Sequence, residues 1–255
     1  DNVLILYGDT PLLSQETIKK LIEKHVSSKA GATLLTARLK NPTGYGRVIR
    51  SSDGKIVKIV EELDASIYEK VIEEINVGAY CFNKRALFYG LEKIKPDNKK
   101  EEYYLTDTIE VLTKSNILVE AVSTNDQEEF LGVNTRAELG KAESVMKKRI
   151  LDKIMDAGVT IIDPNNTYIE QGADIAKDTV IYPYTFIENN VKIGFNCNIG
   201  PFARLRPGTV VGDRVGIGNF VEIVRSSIGR ETKIRHQCYI GDAIIGKNVN
   251  IGAGT

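Results

Sequence analysis

An aspartate stands at the end of an apolar run close to the start of the chain. The stretch VLILYGDTPLL, residues 3–13, predicts a buried parallel strand with Asp9 beyond its carboxyl end. A carboxylate at that position suits a hard cation with oxygen ligands. Because Asp9 also precedes Thr10 and Pro11, a turn or helix-cap role fits equally well, and both interpretations stay open.

Other residues of the first half could serve either a site or the fold. Asn76 lies inside the apolar strand EINVGAYCF, where a buried amide needs hydrogen-bond partners. Asn134 precedes a predicted helix and Thr106 lies in YYLTD, so each could act as an N-cap instead. Gly46 lies in the turn PTGYGRV, which fits an ordinary hairpin loop, and Glu61 follows the run KIVKIV. None of these patterns alone separates structure from function.

The second half of the chain contains a single histidine after His25, and Arg206 lies in the stretch ARLRPG. As a histidine, His236 is a residue type that suits a general base near neutral pH, although its position also fits an outward-facing surface residue. The guanidinium of Arg206 can bind phosphate oxygens in a bidentate way. His25, the other histidine, lies on a predicted surface helix, and we assign it no function.

The elements that must position these residues change type midway along the chain. Up to about residue 158, strand-like and helix-like segments alternate, which predicts an α/β sheet dominated by parallel strands. The predicted helices are SQETIKKLIEKHV with Ser14 as N-cap, Arg85–Ile94, Tyr104–Lys114, and a long helix from Thr135 to about Ala157.

From residue 160 onward an aliphatic residue recurs at every sixth position. The series is Ile169, Ile175, Ile181, Ile187, Ile193, Ile199, Leu205, Val211, Ile217 and Ile223, and it resumes after five-residue steps as Ile228, Ile234, Ile240, Ile245 and Ile251. A small or β-branched residue or a cysteine lies two positions earlier, and glycine often follows directly. This hexapeptide repeat predicts a β-helix in which three units close one triangular coil. The aliphatic residue should fill the interior, the small residue should lie near the corner, and glycine should tolerate the turn.

Composition argues against nucleic acid and membranes as partners and against a CxxC site. Lys+Arg and Asp+Glu number 34 each, so net charge gives no reason to expect nucleic acid or a membrane surface. No apolar run approaches the roughly 20 residues that span a bilayer. Cys81, Cys197 and Cys238 form no CxxC pair and are predicted to be free buried thiols. Asp1 lies inside a predicted strand and the repeat is still regular at Thr255, so we expect missing segments at both ends.

A series of short motifs, in their order and spacing, resembles one family of bacterial enzymes. The motifs are YGDTPLL, NPTGYGRV, IVEELDA, EINVGAY, EEYYLTD, GVNTRAEL, IGPFARLRPG, GNFVEI and YIGDAIIG. They are similar to those of the bifunctional N-acetylglucosamine-1-phosphate uridyltransferase/glucosamine-1-phosphate acetyltransferases. The resemblance implies an α/β nucleotidyltransferase with a Rossmann-like mixed sheet over 1–134, a linker helix over 135–158, and a left-handed parallel β-helix acetyltransferase over 159–255. The first is then incomplete at its N-terminus and the last at its C-terminus.

For the first half the resemblance implies Mg²⁺-dependent transfer of a uridylyl group from UTP to N-acetylglucosamine 1-phosphate, with release of pyrophosphate. Asp9 and Asn134 then bind Mg²⁺, the backbone N–H of Gly46 binds the sugar nucleotide, Glu61 accepts hydrogen bonds from sugar hydroxyls, and Asn76 binds the N-acetyl sugar. The implied substrate-binding residues are Tyr7, Gly8, Asp9, Gly46, Glu61, Asn76, Thr106 and Asn134.

For the second half the resemblance implies acetyl transfer from acetyl-CoA to glucosamine 1-phosphate. His236 is then the catalytic base that takes a proton from the attacking amine. Arg206 and Tyr239 contact the sugar phosphate, Asn250 binds the sugar, and Ala253 binds acetyl-CoA. The resemblance further implies a cytoplasmic homotrimer that acts on small-molecule sugar phosphates and nucleotides and shares this site between subunits.

One position departs from the family pattern. Val224 stands where the family has a phosphate-binding lysine, and Arg225 could replace that lysine only from a turn, since adjacent strand residues face opposite sides. Val224 therefore leaves open a single-function sugar-nucleotide pyrophosphorylase whose β-helix serves oligomerisation or regulation. A catalytically inactive scaffold is a separate alternative, and the joint presence of the site residues named above argues against it. The family's nucleotide-binding loop and final coils would lie outside residues 1–255, so this piece is predicted to be inactive in both reactions.

Overall fold

The computed structural model describes residues 1–255 and forms two compact units, Asp1–Ala142 and Glu143–Thr255. The first unit is a mixed β-sheet with helices, and the second is a parallel β-solenoid built from hexapeptide repeats. The predicted fold class is therefore confirmed. None of the helices is both long and apolar enough to span a membrane.

The first unit is built on a six-stranded sheet. Its strands are β1 (Asn2–Leu6), β2 (Ala32–Arg38), β3 (Arg47–Arg50), β4 (Ile56–Val60), β5 (Glu74–Asn83) and β6 (Val119–Thr124). Their order is β4-β3-β5-β2-β6, and β1 pairs with β5. Among the paired strands only β2 and β6 form a parallel pair, so the prediction of a sheet dominated by parallel strands is wrong. The long strand β5 pairs antiparallel with β1, β2 and β3, a direction that the order of element types along the chain does not reveal.

The strand before Asp9 also differs from the prediction of a buried parallel strand. β1 runs antiparallel to β5, and its residues alternate between exposed and half-buried. Leu4 and Leu6 are 39% and 41% exposed. The apolar run alone could not show this, because an edge strand with one covered face and a central strand can share the same composition.

The helices are α1 (Gln15–Ser28), α2 (Ile67–Lys70), α3 (Lys84–Leu91), α4 (Asp107–Lys114) and α5 (Arg136–Asp156). Ser14 caps α1 as predicted, because its hydroxyl accepts a hydrogen bond from the backbone N–H of Thr17 at 3.1 Å. α3 ends earlier than predicted. α4 begins later than predicted, since the segment before it forms a turn in which Asp107 N–H bonds to the Tyr104 carbonyl.

His25 is buried, which corrects its assignment to a surface helix face. The side chain is 2% exposed, and Nδ1 lies 3.0 Å from Thr33 Oγ1 on β2. Burial lowers the pKa of His25 below its usual value, because desolvation disfavours the imidazolium ion. The imidazole is therefore a polar member of the helix–sheet interface.

The second unit winds through short strands. They are β7 (Thr160–Ile161), β8 (Tyr168–Ile169), β9 (Asp174–Ile175), β10 (Val180–Ile181), β11 (Phe186–Ile187), β12 (Lys192–Ile193), β13 (Asn198–Ile199), β14 (Arg204–Leu205), β15 (Val210–Val211), β16 (Gly216–Val224), β17 (Ser227–Ile228), β18 (Lys233–Gly241), β19 (Ile244–Ile245) and β20 (Asn250–Ile251). All pairs within this unit are parallel, and each joins a strand to the next coil, as Ile181 on Ile199 illustrates.

The repeated aliphatic residues form the interior of the solenoid, as predicted. From Ile169 to Ile240 every member of the series is buried, and only Ile245 and Ile251 are half-buried. The small residue two positions earlier is also inside. Thr179, for example, is fully buried, and its hydroxyl donates to the Gly194 carbonyl at 2.8 Å. The repeat therefore supplies apolar filling and, at most corner threonines, a hydroxyl with a hydrogen-bond partner; Thr185 Oγ1 is the exception, buried without one.

Glycine after the aliphatic residue has a different reason from the one predicted. Of the glycines in that position only Gly200 has a positive φ; the left-handed turn residue lies three positions after the aliphatic and is usually not glycine, as at Asn190 and Asn196. At Gly212, Gly218 and Gly229 the missing side chain allows the next coil to stack closely. A Cβ on Gly218 would lie 2.0 Å from the Arg235 carbonyl oxygen of the next coil.

Candidate functional site

A cavity of about 450 Å³ opens in the first unit, where loops from several strands meet. Its lining includes most of the residues predicted to bind the nucleotide sugar: Tyr7, Asp9, Gly46, Glu61, Asn76 and Asn134. Tyr7 and Asp9 follow β1, Gly46 directly precedes β3, Glu61 follows β4, Asn76 lies on β5, and Asn134 precedes α5. Residues far apart in the sequence thus share one concave site. Gly8 lies between two lining residues, and Thr106 reaches the site through Glu61.

Tyr7 lies over a glycine, Gly78, where any side chain would be strained. Gly78 has φ +85°, and a Cβ there would lie 2.3 Å from the ring carbon Cδ2 of Tyr7. The backbone N–H of Tyr7 donates to the Gly78 carbonyl at 3.1 Å. The irregular backbone of β5 at Gly78 therefore creates the floor on which the Tyr7 ring lies.

Asn76 has the partners that a buried amide requires. It is 7% exposed, and its Nδ2 donates to the hydroxyl of Tyr80 at 2.6 Å. Its Oδ1 accepts a long hydrogen bond from Gly78 N–H at 3.4 Å. Tyr80 is fully buried, and burial raises the pKa of its phenol well above the usual value. The side chain of Tyr80 was not identified from the sequence, where it reads as an ordinary aromatic core residue.

Glu61 receives a hydrogen bond from Thr106. Thr106 is 1% exposed, and its Oγ1 donates to Glu61 Oε1 at 2.9 Å. Although Thr106 stands at the N-cap position of α4, its side chain makes no capping hydrogen bond, so the capping interpretation is wrong. The backbone of Gly46 lies against the same carboxylate, because a Cβ there would be 3.2 Å from Glu61 Oε2. Gly46 also accepts at its carbonyl from Asn76 N–H at 2.8 Å.

Asp9 and Asn134 are brought together by a backbone hydrogen bond. The N–H of Val133 donates to the Asp9 carbonyl at 2.8 Å, and both predicted metal ligands line the cavity. Asn134 does not cap α5. Thr135 does, because its Oγ1 accepts from Glu138 N–H at 3.2 Å while the Glu138 carboxylate accepts from Thr135 N–H at 2.8 Å.

The oxygen donors at this point fit a divalent cation that keeps other ligands. Asp9 offers an exposed carboxylate, and Asn134 offers an exposed amide on the same cavity. No group of three or more His, Cys, Asp or Glu side chains in residues 1–255 is arranged to hold a metal ion. Mg²⁺ commonly binds through one or two protein oxygens together with water and substrate phosphates, so this sparse donor set suits it.

A buried arginine beside the cavity was missed from the sequence. Arg47 is 1% exposed, and its Nη2 lies 2.7 Å from Glu62 Oε2. The same carboxylate accepts from Gly44 N–H at 3.2 Å, and Arg47 Nη1 donates to the Tyr45 carbonyl. This ion pair fixes the turn that carries Gly46. An arginine that opens a short strand gives no sequence signal of such a role.

The predicted acetyl-transfer residues lie on neighbouring coils of the second unit. His236 and Tyr239 are exposed on β18, and β18 pairs with β16 so that Tyr239 lies in register with Glu222. Arg206 Nη1 lies 2.9 Å from Glu222 Oε1. Asn250 and Ala253 are exposed at the last coil. Arg206 and Tyr239 therefore lie on one face around Glu222, while His236 lies in register with Asn219, nearer the start of the strand.

The position that departs from the family pattern is buried. Val224 is 3% exposed and cannot reach a ligand in solvent. Arg225 does lie in a turn, with φ 45°, but its guanidinium forms an ion pair with Asp242 at 2.6 Å. A phosphate-binding role for Arg225 would require it to share or exchange that partner.

Comparison with known proteins identifies the family. The nucleotidyl transferase family profile matches residues 1–147. The chain belongs to the nucleotidyl transferase family. A second profile, the bacterial transferase hexapeptide repeat, matches residues 190–225 of this nucleotidyl transferase.

Curated relatives of this nucleotidyl transferase bear the name bifunctional protein GlmU. The protein from Acetivibrio thermocellus is 45% identical over 99% of this chain and 62% of its own length. Those from Carboxydothermus hydrogenoformans and Thermosipho africanus are 44% and 46% identical over 100% of this chain and 65% and 62% of their lengths. The resemblance to bifunctional enzymes is thus confirmed, and the chain spans less than two thirds of these relatives.

Proposed function

We propose that the full-length protein makes UDP-N-acetylglucosamine in two steps. In the first, acetyl-CoA acetylates glucosamine 1-phosphate, and in the second, UTP transfers a uridylyl group to the resulting N-acetylglucosamine 1-phosphate. The observation that carries this proposal is the cavity on which Asp9, Glu61, Asn76 and Asn134 converge in a member of the nucleotidyl transferase family. The name of the relatives, bifunctional protein, supports the pairing of two activities.

In the uridylyl step the protein has to position UTP and N-acetylglucosamine 1-phosphate and to neutralise the negative charge of the phosphates. Asp9 and Asn134 would hold Mg²⁺, which neutralises charge on the transferring phosphate. Glu61, fixed by Thr106, accepts hydrogen bonds from sugar hydroxyls. Asn76, fixed by Tyr80, binds the acetamido group, and the N–H of Gly46 binds the sugar nucleotide. Tyr7 and Gly8 complete the substrate contacts.

In the acetyl step the amine of glucosamine 1-phosphate attacks the thioester carbon of acetyl-CoA. The N–C bond forms, the C–S bond breaks, and coenzyme A leaves as its thiolate, which then takes up a proton to become the free thiol. His236 takes the proton lost by the amine. Arg206 and Tyr239 bind the sugar phosphate, Asn250 binds the sugar, and Ala253 contacts acetyl-CoA.

The test is a pair of assays on the full-length protein. We expect pyrophosphate release that depends on UTP, N-acetylglucosamine 1-phosphate and Mg²⁺, and free thiol release from acetyl-CoA that depends on glucosamine 1-phosphate. Turnover of a different sugar phosphate in place of N-acetylglucosamine 1-phosphate would contradict the substrate assignment. A protein that neither turns over nor binds UTP in the presence of Mg²⁺ would support an inactive scaffold.

A single-function sugar-nucleotide pyrophosphorylase is the second candidate, and Val224 favours it. The phosphate-binding lysine of the family is replaced by Val224, which is buried. The neighbouring cation, Arg225, is paired with Asp242. This candidate predicts normal pyrophosphate release with no thiol release. Substituting Val224→Lys would then not restore acetyl transfer, because the solenoid would serve only oligomerisation or regulation.

The proposed assembly is a homotrimer formed through the solenoid, in the cytoplasm where UTP and acetyl-CoA are available. The proposed division of labour assigns residues 1–134 to uridylyl transfer, 135–158 to a linker helix and 159–255 to acetyl transfer. A mass in solution three times that of the single chain is the expected result of light scattering.

A further inference from the structure

Glu129 is a buried carboxylate to which the proposed reactions assign no role. It is 3% exposed and lies in the loop between β6 and α5. Thr17 Oγ1 lies 2.8 Å from each of its two oxygens, Thr124 Oγ1 donates to Oε2 at 2.8 Å, and Ser14 N–H donates to Oε1 at 3.2 Å. Burial raises the pKa of Glu129, and these hydrogen bonds outweigh it, so the pKa lies below its usual value.

The donors to Glu129 come from two separate segments of the chain. Ser14 and Thr17 begin α1, which follows the loop that contains Asp9. Thr124 ends β6, and Glu129 itself precedes Asn134 in the loop that leads to α5. One buried carboxylate therefore ties the segment after Asp9 to the segment before Asn134.

We propose that Glu129 is a positioning residue that keeps Asp9 and Asn134 at the spacing a divalent cation requires. The inference rests on the proposed function, because it takes these two residues as the cation ligands. Both lie exposed on loops, and the hydrogen bond from Asn134 N–H to Glu138 of α5 at 2.8 Å does not reach Asp9. The Val133 N–H to Asp9 carbonyl bond joins the loops at the ligands, and Glu129 joins them again farther from the cavity. Two separate hydrogen-bonded contacts fix the relative position of the two loops, whereas a single contact would let one loop rotate about it.

A carboxylate suits this role better than a neutral side chain. Its two oxygens accept from three donors at once, and hydrogen bonds to a charged acceptor are the stronger kind. Glutamine at this position would replace one carboxylate oxygen by an NH₂ group. That group would face the hydroxyl of Thr17 or Thr124, which donates to the carboxylate oxygen in the native chain, so two donors would face each other. Ser14 N–H can only donate, so the oxygen of glutamine must face it and the amide must face a threonine.

The test measures cation binding rather than turnover. Mn²⁺ binding to the full-length protein is followed by electron paramagnetic resonance in the presence of UDP-N-acetylglucosamine, for the native protein and for Glu129→Gln. We expect the dissociation constant for Mn²⁺ to rise about tenfold, the lower end of the range for removing a residue that orients metal ligands without binding the metal. Thr124→Val, which removes one donor and keeps the charge, should give a smaller rise in the same direction.

Glu128→Gln is the matched control. Glu128 is the neighbouring carboxylate and is exposed, so the substitution removes the same charge without touching the buried hydrogen bonds. We expect unchanged Mn²⁺ affinity in this variant. A rise equal to that of Glu129→Gln would overturn the proposal, because it would show a general effect of charge.

Further outcomes separate this inference from the proposed function. If the native protein binds Mn²⁺ and Glu129→Gln binds it equally well, only the positioning role is lost, whatever happens to the melting temperature. If the native protein binds no Mn²⁺ with the nucleotide sugar, the metal site fails and the inference with it. If Glu129→Gln does not fold, the comparison of Thr124→Val with the native protein decides, and equal affinities there would refute the role.

Discussion

Thr106 and Asn134 show how a residue before a helix can serve a cavity instead of the helix. Both roles require a small polar side chain at the same place in the sequence, so the pattern predicted either one. Thr106 donates to Glu61, which is 45 residues away in the sequence. Asn134 does not cap α5, because the capping hydrogen bond is made by Thr135. These choices depend on long-range neighbours, and that is why the residues alone left them open.

Replacing Thr106 tests the proposed orientation of Glu61. Thr106→Val keeps the shape of the side chain and removes the donor, and a hydrogen bond to a charged group is worth about 1.5 kcal/mol or more. We expect kcat/KM for N-acetylglucosamine 1-phosphate to fall about tenfold, measured as pyrophosphate release.

Thr108→Val is the matched control for Thr106→Val. Thr108 is also buried, but its hydroxyl donates to the Leu105 carbonyl, away from Glu61. Its substitution should lower stability without changing kcat/KM. Equal losses of kcat/KM in both variants would show that the helix start, and not the Glu61 contact, matters.

His25 makes the stability of the first unit depend on pH. Its pKa in the folded chain lies below the unfolded value of about 6.5, so the unfolded chain binds the proton first as pH falls. The free energy of unfolding should therefore decrease as pH falls below about 6.5, by at most about 1.4 kcal/mol per pH unit for one proton.

The His25 effect is isolated by comparison with His25→Gln. Urea unfolding is followed by far-ultraviolet circular dichroism between pH 7.5 and 5. The stability advantage of the native chain over the variant should shrink as pH falls. An advantage that stays constant or grows would show that the folded imidazole accepts a proton as readily as the unfolded one.

At the scale of elements, the solenoid was predictable and the sheet was less so. The hexapeptide period is local, so the sequence shows directly that residues such as Ile181 and Ile199 face inward. The direction of strands in the first unit depends instead on which distant strand pairs with β5, and element order does not encode this. The glycines that follow aliphatic residues were located correctly, but at Gly212, Gly218 and Gly229 their cause is the approach of the next coil.

Close stacking of coils predicts a sharp difference between two glycines at the same repeat position. Gly218→Ala would place a Cβ 2.0 Å from a backbone carbonyl oxygen, and such overpacking costs about 1–3 kcal/mol. In the same 255-residue chain the Cβ that Gly246→Ala adds meets nothing within 4 Å, because no coil within residues 1–255 stacks on it. Scanning calorimetry should therefore show a clear loss of solenoid stability for the first substitution and little change for the second. Equal melting temperatures would contradict the stacking explanation.

At the scale of the whole molecule, the two compact units carry two different candidate chemistries. The cavity around Asp9 lies within Asp1–Ala142, and the exposed residues around His236 lie within Glu143–Thr255. The proposed residues of the two reactions do not overlap. A substitution in one unit should therefore leave the chemistry of the other intact, which a single shared site would not allow.

The central claim is tested most directly by assaying both reactions in Asp9→Ala and His236→Ala variants of the full-length protein. We predict that Asp9→Ala loses at least a hundredfold in UTP-dependent pyrophosphate release and keeps thiol release from acetyl-CoA. His236→Ala should show the reverse pattern, with loss of the general base costing about 10²–10⁴-fold. Loss of both activities in either folded variant, or full uridylyl transfer in Asp9→Ala, would contradict the account.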